Sequence, residues 1–135
     1  MNLNSTVAEL MSTNIECVQP DQQIIDLKHI YEKQPFHQHI PVTENNQLVG
    51  IVSLIDFMRA IHNASLDDNE PVYHSILVKD IMSIHPISIT PTTSLKDASK
   101  QLIDGGFHSL VVTENNEVKG IITTTDVLNY LIHEN

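Results

Sequence analysis

Apolar residues recur along the chain in two alternating rhythms. Ile24, Leu27, Ile30 and Tyr31 fall at helical intervals, as do Leu95, Ala98, Leu102 and Ile103, so each set predicts one buried helix face. Short Ile- and Val-rich runs follow at 39–43 and 48–52, and again at 109–113 and 118–122, and these read as strands. Between the members of each strand pair stands an Asn-Asn dipeptide, Asn45-Asn46 or Asn115-Asn116. Asparagine tolerates positive φ, so both dipeptides predict tight hairpin turns. A last helix closes each set, with Phe57, Met58 and Ile61, or Val127, Leu128, Leu131 and Ile132, on its buried side. The pattern also predicts short helical lead-ins at 7–11 and 78–82, each followed by an extended piece that stops at Pro20 or Pro91. Asp21 and Ser94 then stand as N-caps, and Ser94-Leu95-Lys96-Asp97 has capping-box spacing.

The rhythm repeats because the sequence does. Val42-Thr43-Glu44-Asn45-Asn46 returns as Val112-Thr113-Glu114-Asn115-Asn116, and Gly50-Ile51-Val52-Ser53-Leu54-Ile55-Asp56 as Gly120-Ile121-Ile122-Thr123-Thr124-Thr125-Asp126, both 70 positions on. Upstream the displacement is 71: Val7, Met11, Ser12, Pro20 and Asp26 match Val78, Met82, Ser83, Pro91 and Asp97. The one-residue slip lies near 34–36 against 104–106. The unit is therefore strand–helix–strand–strand–helix, occurring twice, an α+β chain. One copy of about 55 residues buries too little apolar surface to stand comfortably alone, so the two are expected to pack sheet to sheet around one shared core. The expected boundaries are 1–65 for the first copy with its lead-in, 66–77 for an acidic linker, and 78–135 for the second copy. Asp67-Asp68-Asn69-Glu70-Pro71 marks that linker as exposed.

Composition narrows the function classes. Hydrophobic residues are 41% and charged residues 18%, as in a globular chain. The formal charge is −10, the only arginine is Arg59, and the lysines are scattered, so nucleic acid and anionic membrane surfaces are set aside as partners. No apolar run approaches the roughly 18 residues of a membrane span. The start Met1-Asn2-Leu3-Asn4-Ser5-Thr6 has neither the basic nor the apolar region of a signal peptide, which predicts a cytoplasmic protein. The single cysteine, Cys17, excludes an internal disulfide and a Cys-based zinc site, and is expected as a buried, inert thiol. Of eight histidines, His37 and His39 have same-face spacing if extended. No cysteine or well-spaced acid completes a metal site there, so no metal is assigned and they read as surface or packing residues. With no glycine-rich phosphate loop and no nucleophile elbow, neither an enzyme nor a required cofactor is expected.

The tandem copies, the Met-Ser after each lead-in, the His39-Ile40-Pro41-Val42 strand and the Gly-x-x-[Ser/Thr]-x-x-Asp signature at 50–56 and 120–126 carry a resemblance. The chain resembles the CBS-domain family, named for cystathionine β-synthase, from Val7 to Ile132. The resemblance implies two tandem β-α-β-β-α CBS motifs packed as a pseudo-twofold pair with two clefts. It implies regulatory binding of adenosine compounds such as AMP, ADP, ATP or S-adenosylmethionine, and a disc-like homodimer of two modules. Ligand contacts are then expected from Ser53 and Asp56 in the first copy and from Thr123, Thr125 and Asp126 in the second. The adenine is expected near 12–17 and 83–88, where Ile15 and Ile87 stand. Arginines often placed to reach phosphate are replaced here by His39 and Ser109.

The signature supports two readings. Ser53-x-x-Asp56 and Thr123-x-x-Asp126 have capping-box spacing, so each pair can simply start a helix. The same helix end presents unpaired N–H groups to an anion, and an ionised aspartate accepts from ribose hydroxyls. On the ligand reading Asp126→Ala loses binding with little change in stability. The second copy, with hydroxyls at 123 and 125, is favoured over the first, where Ile55 replaces Thr125. Without an arginine at 39 or 109, AMP or another adenosyl compound of low charge is favoured over ATP. The leading expectation is a regulatory sensor, of the kind used in energy sensing, acting in trans on an unknown protein partner. The alternative is a structural homodimerisation module with vestigial, empty clefts.

Overall fold

The computed structural model describes residues 2–34, 36–106 and 108–133, which fall into two compact units. The unit spanning 16–86 begins with Val18, which bridges Val42 in parallel. α1 (Ile25–Tyr31) follows, then the hairpin of β1 (His39–Glu44) and β2 (Gln47–Ser53). Asn45 and Asn46 take φ of 53° and 65°, so the two-residue turn forms as its sequence predicts and sets Glu44 against Gln47. α2 (Leu54–Ile61) leaves β2 without a connecting loop. Two single-turn helices, α3 (Val72–Ser75) and α4 (Val78–Ile81), lead to β3 (Ser83–Ile84), which adds antiparallel to β2.

The other unit joins residues 2–15 to 87–133. β4 (Ser88–Ile89) pairs parallel with β5 (Ser109–Glu114), which pairs antiparallel with β6 (Glu117–Thr123) in the same register as the first hairpin. α5 (Leu95–Gly105) lies between β4 and β5, and α6 (Thr124–His133) continues from β6. The lead-in forms a 3-10 turn, Val7–Glu9, after which Ser12 exchanges backbone hydrogen bonds with Ile121 at 2.9 and 3.0 Å.

The lead-ins are therefore exchanged. The lead-in of the first repeat completes the sheet and core of the second, and that of the second completes the first. Val78 is fully buried with Val18, Ile24, Leu27, Ile40, Val42, Val52, Phe57 and Tyr73; Val7 is fully buried with Ile89, Ala98, Leu102, Leu110, Val112 and Ile122. Instead of the single shared core expected from repeat size, the buried side chains among the described residues form two clusters, each closed by a borrowed valine. The Met-Ser of each lead-in fits over a glycine of the receiving hairpin. A β-carbon on Gly120 would lie 2.6 Å from Met11 Sδ and 2.9 Å from the Ser12 carbonyl oxygen; one on Gly50 would lie 2.6 Å from Met82 Sδ and 3.0 Å from the Ser83 oxygen.

Several expectations are corrected in detail. Asp21 does not cap α1, whose N-cap is Ile24; Asp21 accepts from Lys79 Nζ at 3.1 Å, and Gln22 holds the helix entry by accepting from the Gln19 N–H. Ser94 does cap α5, accepting from the Asp97 N–H at 3.1 Å. Ile103 is 78% exposed, because its position in α5 turns past the edge of the buried stripe. Cys17 is exposed rather than buried, although desolvation by the surrounding chain raises its thiol above the usual value and so disfavours the reactive thiolate. The slip near 34–36 includes Pro35, which lies outside the described residues.

The acidic linker is also more than an exposed tether. Tyr73 of α3 is fully buried, stacks at 6.3 Å on Phe57, and donates to the Ser65 carbonyl at 2.7 Å. Lys28, almost fully buried on α1, sits 5.7 Å from the centre of that ring and donates to Asp68 at 2.6 Å and Glu32 at 3.0 Å. The linker acids are there because a buried ammonium must be paired. Asp68 is held below the usual carboxylate range, first by the Lys28 hydrogen bond and then by that from His29.

A depressed carboxylate stabilises above the unfolded-chain value of about 4 and loses that contribution as pH falls through its lower folded value. NMR of the Tyr73 ring should thus show an unchanged environment from pH 8 to 5 and loosening below about pH 4. Asp68→Asn should weaken the same anchor at neutral pH. Gly120→Ala should cost about 1–3 kcal/mol in urea denaturation, because a backbone oxygen as well as the pliable Met11 must give way. Gly50→Ala should cost less, since its backbone neighbour is slightly farther.

Candidate ligand site

In both repeats the strand passes straight into the helix, and the turn between them is fixed by side chains. Ser53 Oγ accepts from the Asp56 N–H at 3.0 Å, and Asp56 Oδ2 accepts from the Ser53 N–H at 3.4 Å. Thr123 Oγ1 and Asp126 Oδ2 repeat the exchange at 3.0 and 2.9 Å. Both capping boxes are complete. The first helical N–H is also occupied: Leu54 donates to the Gln38 carbonyl at 2.8 Å, and Thr124 to that of His108 at 3.0 Å. These bonds draw the start of β1 or β5 against the end of β2 or β6.

As a result His39 pairs across the strands with Ser53, and Ser109 with Thr123. The fold thereby brings together His39, Ser53 and Asp56 at one junction, and Ser109, Thr123 and Asp126 at the other, all half-buried. Thr125 occupies the second helical position of α6 and is exposed; Ile55 holds that position in α2 and is 61% exposed. Ile15 and Ile87 both lie in the unit that carries Thr123 and Asp126. The exchanged lead-in sets Ser12 on Ile121, two residues before Thr123, while Ser83 pairs with Ile51, two residues before Ser53.

Tyr31 is a junction residue that the helical stripe concealed. Its hydroxyl donates to the Val52 carbonyl at 3.2 Å and lies 3.5 Å from that of Gln38, tying together the same two strand ends. Burial, reinforced by the charge of Asp56, raises it well above the ordinary phenol value, so it remains a donor at all physiological pH. A hydroxyl at the end of an apolar stripe was the available signal. Nearby, His37 Nε2 is buried and has no hydrogen-bond partner among the described residues.

Comparison with known proteins identifies the family and the fold. The CBS domain family matches at residues 7–63 and 78–133. The chain belongs to the CBS-domain family. An uncharacterised protein of Methanocaldococcus jannaschii, MJ0188, is 31% identical over 129 residues, which are 95% of this chain and 44% of that relative. The chain thus spans less than half the length of that relative. The structure of CBSX2 in complex with AMP, a protein of Arabidopsis thaliana, has a TM-score of 0.79 at 23% identity, covering 96% of this chain and 97% of its own. The CBS domain pair of MJ0100, in complex with 5′-methylthioadenosine and S-adenosyl-L-methionine, has a TM-score of 0.80 at 16% identity, covering 97% and 98%. At these identities the structural likeness establishes the fold. Two tandem CBS motifs account for nearly all of the described chain, and no helix among the described residues is long and apolar enough to cross a membrane.

The completed boxes change what an aspartate substitution is expected to do. Asp126→Ala removes the acceptor for the Thr123 N–H and should cost about 1 kcal/mol of stability, so a loss of binding in that variant is not interpretable alone. Asp126→Asn retains an acceptor oxygen and should melt close to the wild type. Thermal denaturation of the two variants side by side checks this.

Proposed function

We propose that this CBS module is a cytoplasmic regulatory sensor that binds AMP, or another adenosine compound of low charge, at the strand–helix junctions. The observation that carries this reading is the placement of an aspartate at the third position of each helix. One oxygen, Oδ2, serves the box, and Oδ1 stands outside it at the helix end. A ribose diol offers two donors to such a carboxylate, and a 5′-phosphate is favoured by the positive end of the helix dipole. Neither junction places a lysine or arginine opposite the cap, where His39 and Ser109 stand, and the formal charge is −10. A triphosphate would lack cationic support, so AMP is preferred over ATP. That CBSX2 was solved with AMP and the MJ0100 pair with 5′-methylthioadenosine and S-adenosyl-L-methionine supports the ligand class.

Regulation would act in trans on a protein partner, through a homodimer whose arrangement the ligand biases by binding one form better than another. Contrary to the buried side expected of the last helices, Met58 on α2 and Leu128, Leu131 and Ile132 on α6 are exposed, and these apolar side chains support self-association, whereas Phe57 and Ile61 of α2 are buried in the core. The second reading, a structural dimer with empty junctions, draws on the first junction, where the signature is satisfied as a cap and Ile55 adds no polar group.

A thermal-shift panel of AMP, ADP, ATP, adenosine and S-adenosylmethionine separates the readings. A ligand at 100 times its Kd should add about 2.7 kcal/mol to the folded state. The sensor reading expects a clear shift with AMP that Asp126→Asn reduces; no shift with any compound would leave the structural dimer.

A further inference from the structure

Away from the junctions, the linker anchor gathers groups with a different chemistry. His29 and Glu32 stand three positions apart at the end of α1, which places them on one helix face. Asp68 of the linker meets His29 there, with Oδ2 lying 2.9 Å from the imidazole Nε2. The three side chains bring a ring nitrogen and two carboxylate oxygens within 4.8 Å of one another, and all three are open to solvent. A nitrogen and two oxygens at this spacing are the donor set of a metal ion.

The cluster differs from a patch of surface acids because its members are held in place. Lys28, almost fully buried, donates to Asp68 Oδ1 at 2.6 Å and to Glu32 Oε2 at 3.0 Å. It thus fixes one oxygen of each carboxylate and leaves the other. His74 Nε2 lies 2.7 Å from the Asp68 carbonyl oxygen, and Asp67 Oδ1 accepts from the Asn69 N–H at 2.9 Å, so the linker backbone is tied on both sides of Asp68. Outer contacts of this kind orient the ligands of metal sites. The separation of Nε2 and Oδ2 is a little under the roughly 3.4 Å between two donors on a tetrahedral ion with bonds of about 2.1 Å. Two carboxylates outweigh the one ammonium, and the C-terminal end of α1 adds partial negative charge. A neutral imidazole with its proton on Nδ1 presents Nε2 as a ligand, which favours zinc over magnesium or calcium.

We propose that His29, Glu32 and Asp68 form a binding site for a divalent ion of the zinc class, which joins the linker to α1. The ion takes the place of the hydrogen bond between His29 and Asp68, while Lys28 stays on the remaining carboxylate oxygens. Three protein ligands leave a fourth position for water. The site uses no junction residue, so the inference does not rest on the proposed adenosine binding.

Calorimetric titration of the metal-free full chain with Zn²⁺ alone tests it, at about pH 7.5 so that an ordinary imidazole is neutral. Wild type should bind one equivalent, and a large excess of Mg²⁺ should not compete. His29→Gln and Glu32→Gln should each weaken Zn²⁺ at least about tenfold, since even outer contacts of metal sites are worth that much. Both side chains are about half exposed, and unchanged melting of the metal-free variants shows that they remain folded. In NMR spectra of the histidine side chains, Zn²⁺ should move His29 Nε2 and slow amide exchange across the linker at 67–70. Wild type that binds no Zn²⁺, or binds it no more tightly than both variants, overturns the proposal. Zinc shifts confined to His37 and His39, or binding lost only in Cys17→Ser, overturn it by placing the ion elsewhere. Equal competition by Mg²⁺ overturns the assigned class of ion.

Discussion

The exchange of lead-ins is the constraint that the rest of the structure depends on. Val7 and Met11 are inserted into the sheet of the second repeat, and Val78 and Met82 into that of the first. A repeat of this size cannot close a core with its own apolar residues, and the borrowed valine supplies a fully buried side chain at each open edge. The glycines of the signature make this possible. Gly50 and Gly120 are required for the close approach of a neighbouring methionine and serine backbone, and their φ is not in the left-handed region. Duplication thereby becomes a structural necessity, since neither unit is complete without residues from both copies.

The same exchange organises the junctions. β2 and β6 receive the lead-in strand on one edge and the hairpin partner on the other, so their ends have little freedom when they pass into α2 and α6. The boxes then fix the first turn, and Tyr31 pins the α2 end from beneath. What results is a helix end whose first and third N–H groups are consumed and whose second is presented. Stability and the proposed ligand contacts therefore fall on the same residues: Asp56 and Asp126 cap their helices, and separating the two roles requires a substitution that retains an acceptor.

Local chemistry in the sequence was enough for the hairpins, the two final helices and both boxes. The Asn-Asn turns, the Ser/Thr-x-x-Asp spacing and the duplicated pattern each act over a few residues, and all formed where expected. The lead-in exchange was not legible, because an amphipathic turn such as 7–11 carries no information about which copy it covers. The linker misled for a related reason. Its acids read as solvated until Lys28, forty residues away in α1, is seen to need Asp68, and Tyr73 is buried through contacts with Phe57 that periodicity cannot reveal. At the junctions, the cross-strand placement of His39 on Ser53 and of Ser109 on Thr123 comes from the hairpin register that the two-residue turns set. Asp21 lost its cap role to a longer-range ion pair with Lys79, again a tertiary preference overriding a local one.

Backbone amide NMR during titration of the full chain with AMP tests the account most directly, since it reads position independently of affinity. The account predicts that the amides of Thr123, Thr125 and Asp126 shift first, together with those of 12–15 from the exchanged lead-in, ahead of Ser53, Ile55 and Asp56. Shifts that leave the Thr123–Asp126 junction unmoved, or that pair this junction with 83–86 while sparing 12–15, would contradict it.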